Sequence, residues 1–347
     1  MPSNNDHLDQ GFGIEIECYL PEGSTQTGVA QAITHRIGTM CVVESYNHQA
    51  RGHWKVVTDG SLGDYARGIE LVSPKLRGEA GLAQADQVMR ALADFGCTVS
   101  RQCGLHVHVG VDTPPLDFFK RLVKLYSMYE PVIDTLMPIS RRASANLYCR
   151  SMTSASPTNV DRARSLDDLI HAVSGSHGGE RRYYKLNLTA YARHQTVEFR
   201  QHSGTLDANK ARNWTLLCLR MVAAAKHADL NLGTTVRPLN NARPGTKSYI
   251  IGELMLRPEG VSGPEALAAT GWLKVSLKHQ AEVCGIETTT QRIGREIRYF
   301  ARSAQAATPS TPITIDGLAD LIGASPDHRT YMQQRAHDLR GPVQWAS

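Results

Sequence analysis

Four short runs in this sequence set chemically capable side chains two residues apart. His106 and His108 lie within Cys103–Gly110, Glu15 and Glu17 within Gly13–Glu17, Glu198 and Arg200 within Thr196–Arg200, and Lys185 and Asn187 within Tyr184–Leu188. A strand alternates its side chains between two faces, so each pair shares a face while its apolar neighbours take the other. Those neighbours are Leu105, Val107 and Val109; Ile14 and Ile16; Val197 and Phe199; and Leu186. One such run would be a half-exposed strand. Four runs bearing carboxylates, imidazoles, a guanidinium and an ammonium read as the walls of one groove. A fifth, Gly68–Pro74, adds Glu70 on the face of Val72.

Carboxylates gathered with a histidine in one groove repel one another unless cations are present. Carboxylate oxygens are the preferred ligands of magnesium, and one imidazole can be accommodated. Arginine and lysine beside such a cluster suggest phosphate, because a planar guanidinium spans two phosphate oxygens and an ammonium acts as a point charge. Metal, phosphate and a cationic wall together describe phosphoryl transfer from a nucleotide. The sequence carries no P-loop and no dinucleotide fingerprint, so side chains on a sheet would have to hold the nucleotide.

Plainer readings stand beside this one. An isolated Glu-x-Glu is most often a solvated strand edge, and Glu198 with Arg200 could be a charge pair on one strand. Of the two histidines, His106 is read as the ligand and His108 as a group orienting its neighbours. His202, His194 and Cys103 are read as structural.

The elements that must position these residues follow from pattern and punctuation. Gly11 to Tyr19 reads as the first strand, residues 26 to 38 as a helix, and Thr39 to Val43 and Trp54 to Thr58 as short strands closed by the turn dipeptide Asp59-Gly60. Glu79 to Phe95 traces a helix face with Gly96 as its stop, and a long helix opens at Pro114-Pro115 and ends near Pro138. Residues 140 to 160 have no clean period and read as a loop, functional or merely floppy. Ser165 to Asp168 has capping-box spacing, and Asp207 would cap a helix running to about Lys226. Residues 229 to 247 form a linker. Beyond them a helix, a helix pair around Thr270-Gly271-Trp272 and a basic amphipathic stretch, Ile293 to Phe300, suit a small winged-helix or helix-turn-helix module over 248–306. A Pro and Thr linker and a last short helix fill 307–347.

At 347 residues, 41% of them hydrophobic, the chain can build a sizeable core and more than one domain. A formal charge of +5 is too small to demand nucleic acid or an anionic membrane. No apolar run approaches the roughly eighteen residues of a membrane span, and the N-terminus lacks the pattern of a signal peptide, so a cytoplasmic setting is expected. The seven cysteines form no C-x-x-C pair, which argues against a disulfide framework or structural zinc cluster.

Gly-x-Glu-x-Glu, then Gly-x-Glu-Leu-Val-Ser-Pro, Gly-Leu-His-Val-His-Val-Gly and Val-Glu-Phe-Arg-x-His-x-Gly-Thr, in that order, resemble the amidoligase family. That family belongs to the carboxylate-amine ligase superfamily of glutamine synthetase and glutamate-cysteine ligase, and the likeness covers 11–228. It implies an α+β fold: a curved antiparallel sheet, a glutamine synthetase-like partial barrel, with helices outside. By motif position, Glu15, Glu17, Glu70, His106 and Glu198 would hold two or three magnesium ions, with manganese as a substitute. Arg200 would stabilise the phosphoryl group in flight, Lys185 would contact phosphate or the acyl intermediate, Asn187 would orient one of them, and His108 or Glu70 would help deprotonate the amine. The implied activity is ATP-dependent ligation of an acid to an amine, forming an amide or isopeptide bond through an acyl phosphate. Asp59 could serve as ligand or turn former, and no adenine pocket has a signature in the sequence. The appended module weakly favours a macromolecular partner, peptide or nucleic acid, or self-association.

Two other functions compete. In one, His106 and His108 bind zinc in a metal-dependent hydrolase; it would leave the Glu15 strand without a role. In the other, the chain binds nucleic acid and its ligase-like domain is inactive; the intact acidic set argues against that.

Overall fold

The computed structural model describes residues 7–47, 49–64, 66–152, 157–174, 181–227, 246–255, 260–286, 288–294, 296–301 and 314–339. In chain order the elements are β1 (Gly11–Tyr19), α1 (Gln26–Ile37), β2 (Cys41–Val43), β3 (Trp54–Thr58), β4 (Gly68–Val72), β5 (Leu76–Arg77), α2 (Gly78–Asp94), β6 (Gly104–Gly110), α3 (Leu116–Thr135), α4 (Pro157–Arg162), α5 (Leu166–Ser174), β7 (Leu186–Asn187), α6 (Ala190–His194), β8 (Thr196–Ser203), α7 (Ala208–Lys226), α8 (Lys247–Met255), β9 (Val261–Ser262), α9 (Gly263–Thr270), α10 (Leu277–Cys284), β10 (Thr288–Ile293), β11 (Glu296–Ala301), α11 (Ile315–Leu321) and α12 (Pro326–Asp338). They fall into two compact units. The first comprises the described residues up to 227 together with 314–339, and the second those of 246–301.

The first unit is built on an open sheet of order β2-β3-β4-β1-β6-β8-β7, with β5 on the end of β1. Every pairing is antiparallel except β2 with β3. The fold is therefore α+β with a mostly antiparallel sheet, and the sheet does not close into a barrel. Ile14, Ile16, Leu105, Val107, Val109, Val197 and Phe199 are buried on one face, as the period of two requires. Helices α2 and α3 each pack on α7, and α7 also packs on β6.

The punctuation acts as its chemistry dictates. Thr25 caps α1 and Gly38 ends it in the left-handed conformation at φ 67°. Ser165 and Asp168 exchange capping bonds, each accepting from the other's backbone N–H at 3.1 Å. Asp207 accepts from Lys210 N at the start of α7. The segment after Gly96, itself at φ 90°, leads back toward β6.

The β6–β8 ladder slips by one residue between Leu105 and Val107. Leu105 pairs with His202 and Val107 with Phe199, so Arg200 and Gln201 together oppose His106. Simple alternation would put Glu198, Arg200 and His202 on one face. The bulge separates His202 from the other two, and its ring lies 5.4 Å from that of Trp214 on α7.

The second unit runs helix, strand, helix, helix, strand, strand, with sheet order β10-β11-β9. Its core is Ile251, Leu254, Met255, Val261, Ala266, Leu277, Ala281, Cys284 and Ile286. Ser262 and Glu265 form a capping box at the start of α9. The basic stretch 293–300 is not one amphipathic element: Gly294 turns it between β10 and β11. The expected 229–247 linker, apart from Thr246 and Lys247, and most of the Pro and Thr linker lie outside the described residues; Lys247 already belongs to α8. The single expected terminal helix is a pair, α11 and α12, and both belong to the first unit.

The seven cysteines are free and buried. No helix among the described residues is long and apolar enough to cross a membrane.

Candidate functional site

The groove assembles on the sheet face opposite the apolar one, and strand register decides which groups meet. Across β1–β4, Glu17 faces Glu70; across β1–β6, Glu15 faces His106 and Gly13 faces His108; across β6–β8, His108 faces Glu198; across β7–β8, Asn187 faces Glu198. Five strands thus bring residues from 15 to 198 to one place. The groove is about 1250 Å³, and Glu15, Glu17, Glu70, His106, His108, Asn187, Glu198 and Arg200 all line it.

Contacts within the cluster are short. His106 Nδ1 lies 3.2 Å from Glu15 Oε2, and His108 Nε2 lies 3.2 Å from the other oxygen of the same carboxylate. Glu17 accepts from Gly104 N at 2.6 Å, and its second oxygen is 3.7 Å from His106 Nε2. Glu198 accepts from Asn187 Nδ2 at 2.6 Å and from Arg200. Arg200 Nε in turn donates to the Tyr148 carbonyl, and His108 Nδ1 sits 3.0 Å from Thr196 Oγ1. The Asn187 carbonyl oxygen accepts from both Thr189 N and Thr189 Oγ1, which fixes its amide orientation.

Ionisation in the groove is divided. Desolvation would raise the Glu15 carboxyl, but the charge of His108 and the close approach of both imidazoles hold it well below the usual range. Desolvation and then the charges of Glu15, Glu17 and Asp59 push Glu70 well above that range. Glu198 is held down, against desolvation, chiefly by Arg200 and then by His108. For His108 burial works downward, yet Glu15 and Glu198 outweigh it and lift the imidazole to about 8.

Two groups of three side chains bring ligand atoms within 4.8 Å of one another: Glu15, Glu70 and His106; and Glu15, His108 and Glu198. Glu15 belongs to both. A cation fits this donor set on two observations. His108 Nε2 is buried without a hydrogen bond of good geometry, and Glu70 carries repulsion from three neighbouring carboxylates that a cation would relieve. Hard carboxylate oxygens with one imidazole per group suit magnesium or manganese.

Two sequence expectations change here. Lys185 does not share the groove with Asn187. The β7–β8 ladder is only two residues long, the Lys185 N–H donates to Arg150 O, and the ammonium is wholly buried against Glu130 at 2.8 Å and Asp134 at 2.6 Å on α3. His108, read as an orienting group, stands in a ligand group in its own right. Asp59 lines the groove and also caps a short turn, accepting from Ser61 N at 2.8 Å.

Sequence reasoning missed the groove's outer wall. Tyr46, Arg101, Arg141, Tyr148, Arg182 and Tyr183 reach it. Tyr148 and Tyr183 meet edge to face at 5.1 Å, and the Arg182 guanidinium lies 4.9 Å from the Tyr183 ring centroid. These residues sit in connections without periodicity. The one signal in the sequence is compositional: Arg141 and Tyr148 fall in the aperiodic 140–160 stretch, whose composition leaves a functional and a floppy loop equally open.

The family model described as "Putative amidoligase enzyme" matches residues 8–222. The chain therefore belongs to the amidoligase family, and membership points to ligase-type activity. No curated protein matches the chain.

Proposed function

We propose that this protein is an ATP-dependent carboxylate-amine ligase. The observation that carries the reading is the register-locked cluster of Glu15, Glu17, Glu70, His106, His108 and Glu198 beside Arg200 on one sheet face. Such a cluster suits a polyphosphate with its cations rather than a neutral ligand.

In this scheme the substrate carboxylate attacks the γ-phosphorus, ADP leaves, and an acyl phosphate forms. The amine then attacks the acyl carbon, inorganic phosphate leaves, and the nitrogen gives up a proton. Magnesium or manganese, held by Glu15, Glu17, Glu70, His106 and Glu198, would supply charge neutralisation at the polyphosphate. Arg200, oriented by Glu198 and the Tyr148 carbonyl, faces the transferring phosphoryl group. Asn187, its amide fixed by Thr189, donates toward the same region. His108 or Glu70, both lining the groove, would take the amine's proton. Lys185 serves the fold and leaves the phosphate contacts to Arg200.

We read the sheet as the partial barrel of the glutamine synthetase superfamily, with catalysis assigned to 11–228. The second unit's element order and its β10-β11-β9 sheet support a winged-helix-like module serving substrate capture. The two imidazoles fall in different ligand groups among the described residues, which disfavours a hydrolase gathering both on one zinc.

Calorimetric titration of the full chain with a non-hydrolysable ATP analogue tests the reading. Binding that requires magnesium and disappears in Glu17→Gln is the expected result. Absence of nucleotide binding with and without magnesium, alongside zinc in the purified protein, overturns it in favour of the hydrolase.

A further inference from the structure

A second cavity, about 560 Å³, lies in the first unit and shares no lining residue with the groove. Its walls come from the N-terminal segment at His7 and Leu8, from α2 at Glu79, from α7 at Asn209, Arg212, Asn213, Leu216 and Arg220, and from the turn between α11 and α12 with the start of α12. Within it, Arg220 is only 8% exposed. Its Nε has no hydrogen-bond partner, and no acidic side chain pairs with its guanidinium among the described residues. A buried guanidinium without a counter-charge is costly, because its desolvation is not offset by an anion.

His328 stands beside it, 2% exposed. Neither ring nitrogen makes a hydrogen bond of good geometry, although the Asn213 backbone is near. The other charged wall residues are already engaged or peripheral. Arg212 is paired with Glu79 and Asp86, and Asp327 is exposed. The cavity also receives the first turn of α12, capped by Ser325, whose peptide dipoles favour negative charge. Leu8, Leu216 and Tyr331 give it apolar wall as well.

We propose that this cavity is a binding site for a small organic anion, a carboxylate or phosphate monoester, received by Arg220 with His328 as a second donor. A guanidinium offers two parallel N–H groups to such an oxyanion. The apolar side chains accommodate the carbon portion of the ligand. A bound anion would supply Arg220 with the counter-charge it lacks among the described residues, so the anion should also stabilise the fold.

The test uses the full-length protein, titrated calorimetrically with inorganic phosphate and separately with acetate at constant ionic strength in chloride. The expected result is binding of at least one, weakened by about tenfold or more in Arg220→Gln and partly kept in Arg220→Lys. Phosphate alone binding assigns the site to phosphate monoesters, acetate alone to carboxylates, and both to the shared oxyanion. No binding of either, or binding unchanged in a folded Arg220→Gln, overturns the proposal. Should Arg220→Gln fail to fold, the His328 ring resonances of the wild-type protein decide. They shift on addition of the anion if it sits in this cavity, and an unmoved His328 overturns the assignment.

Discussion

Glu17 and Glu70 stand directly opposite each other across the β1–β4 ladder. Like charges in that position destabilise a sheet by about 0.2–1 kcal/mol, and the elevated Glu70 carboxyl reports the same crowding. Glu70→Gln should therefore raise the stability of the metal-free protein by about that amount. It should also diminish the stabilisation that magnesium confers. Thermal unfolding of both proteins, with magnesium and with a chelator, checks both halves.

Glu198→Gln should abolish turnover while leaving the fold intact, because the side chain keeps its shape but loses the charge that faces Arg200 and His108. Arg200→Gln should cost about 10³-fold or more in rate, the range of arginines that act on transferring phosphoryl groups. Phosphate release with ATP and screened acids and amines is the measurement. Full activity in a folded variant that retains metal would refute the site assignment.

Lys185→Met should destabilise without touching the groove. The ammonium is wholly buried between Glu130 and Asp134, and removing one partner of a buried ion pair typically costs about 3–5 kcal/mol. Urea unfolding would give the loss directly, while magnesium-dependent nucleotide binding by the folded fraction should match wild type.

Two buried histidines set an acid limit. Burial lowers His202 to about 3 and His328 to about 4, against about 6.5 in an unfolded chain. Below about 6.5 the unfolded state binds protons that the folded state refuses. Stability is then full above that pH and falls as pH drops, by up to about 1.4 kcal/mol per unit per histidine. His202→Gln should flatten the slope of unfolding free energy between neutral pH and about pH 5.

The strands were legible because a two-residue period leaves its mark on sequence. Ile14, Ile16, Val107 and Phe199 could only be buried, which sent Glu15, Glu17, His106, His108, Glu198 and Arg200 to the other side. Capping by Asp207 and by the Ser165–Asp168 pair was local enough to read as well. Lys185 lies apart from the groove because the β7–β8 ladder stops after two residues, so strand alternation does not carry from Asn187 back to it. Tyr148 and Arg182 escaped because loop residues carry no period. The return of α11 and α12 to the first unit is a long-range contact, which no local pattern encodes.

The slip between β6 and β8 lets the strand carry one residue more than its partner without turning either end over. Deleting Gln201 would restore one-to-one pairing, Phe199 with Val107, Arg200 with His106 and His202 with Leu105, and would leave each of those side chains on its present face. What the deletion would remove is a tie between the sheet and α3, where the Gln201 amide accepts from the Tyr126 hydroxyl and donates to Asp134 Oδ1. The extra residue thus fastens the catalytic strand to the helix behind it while the groove keeps its own alternation.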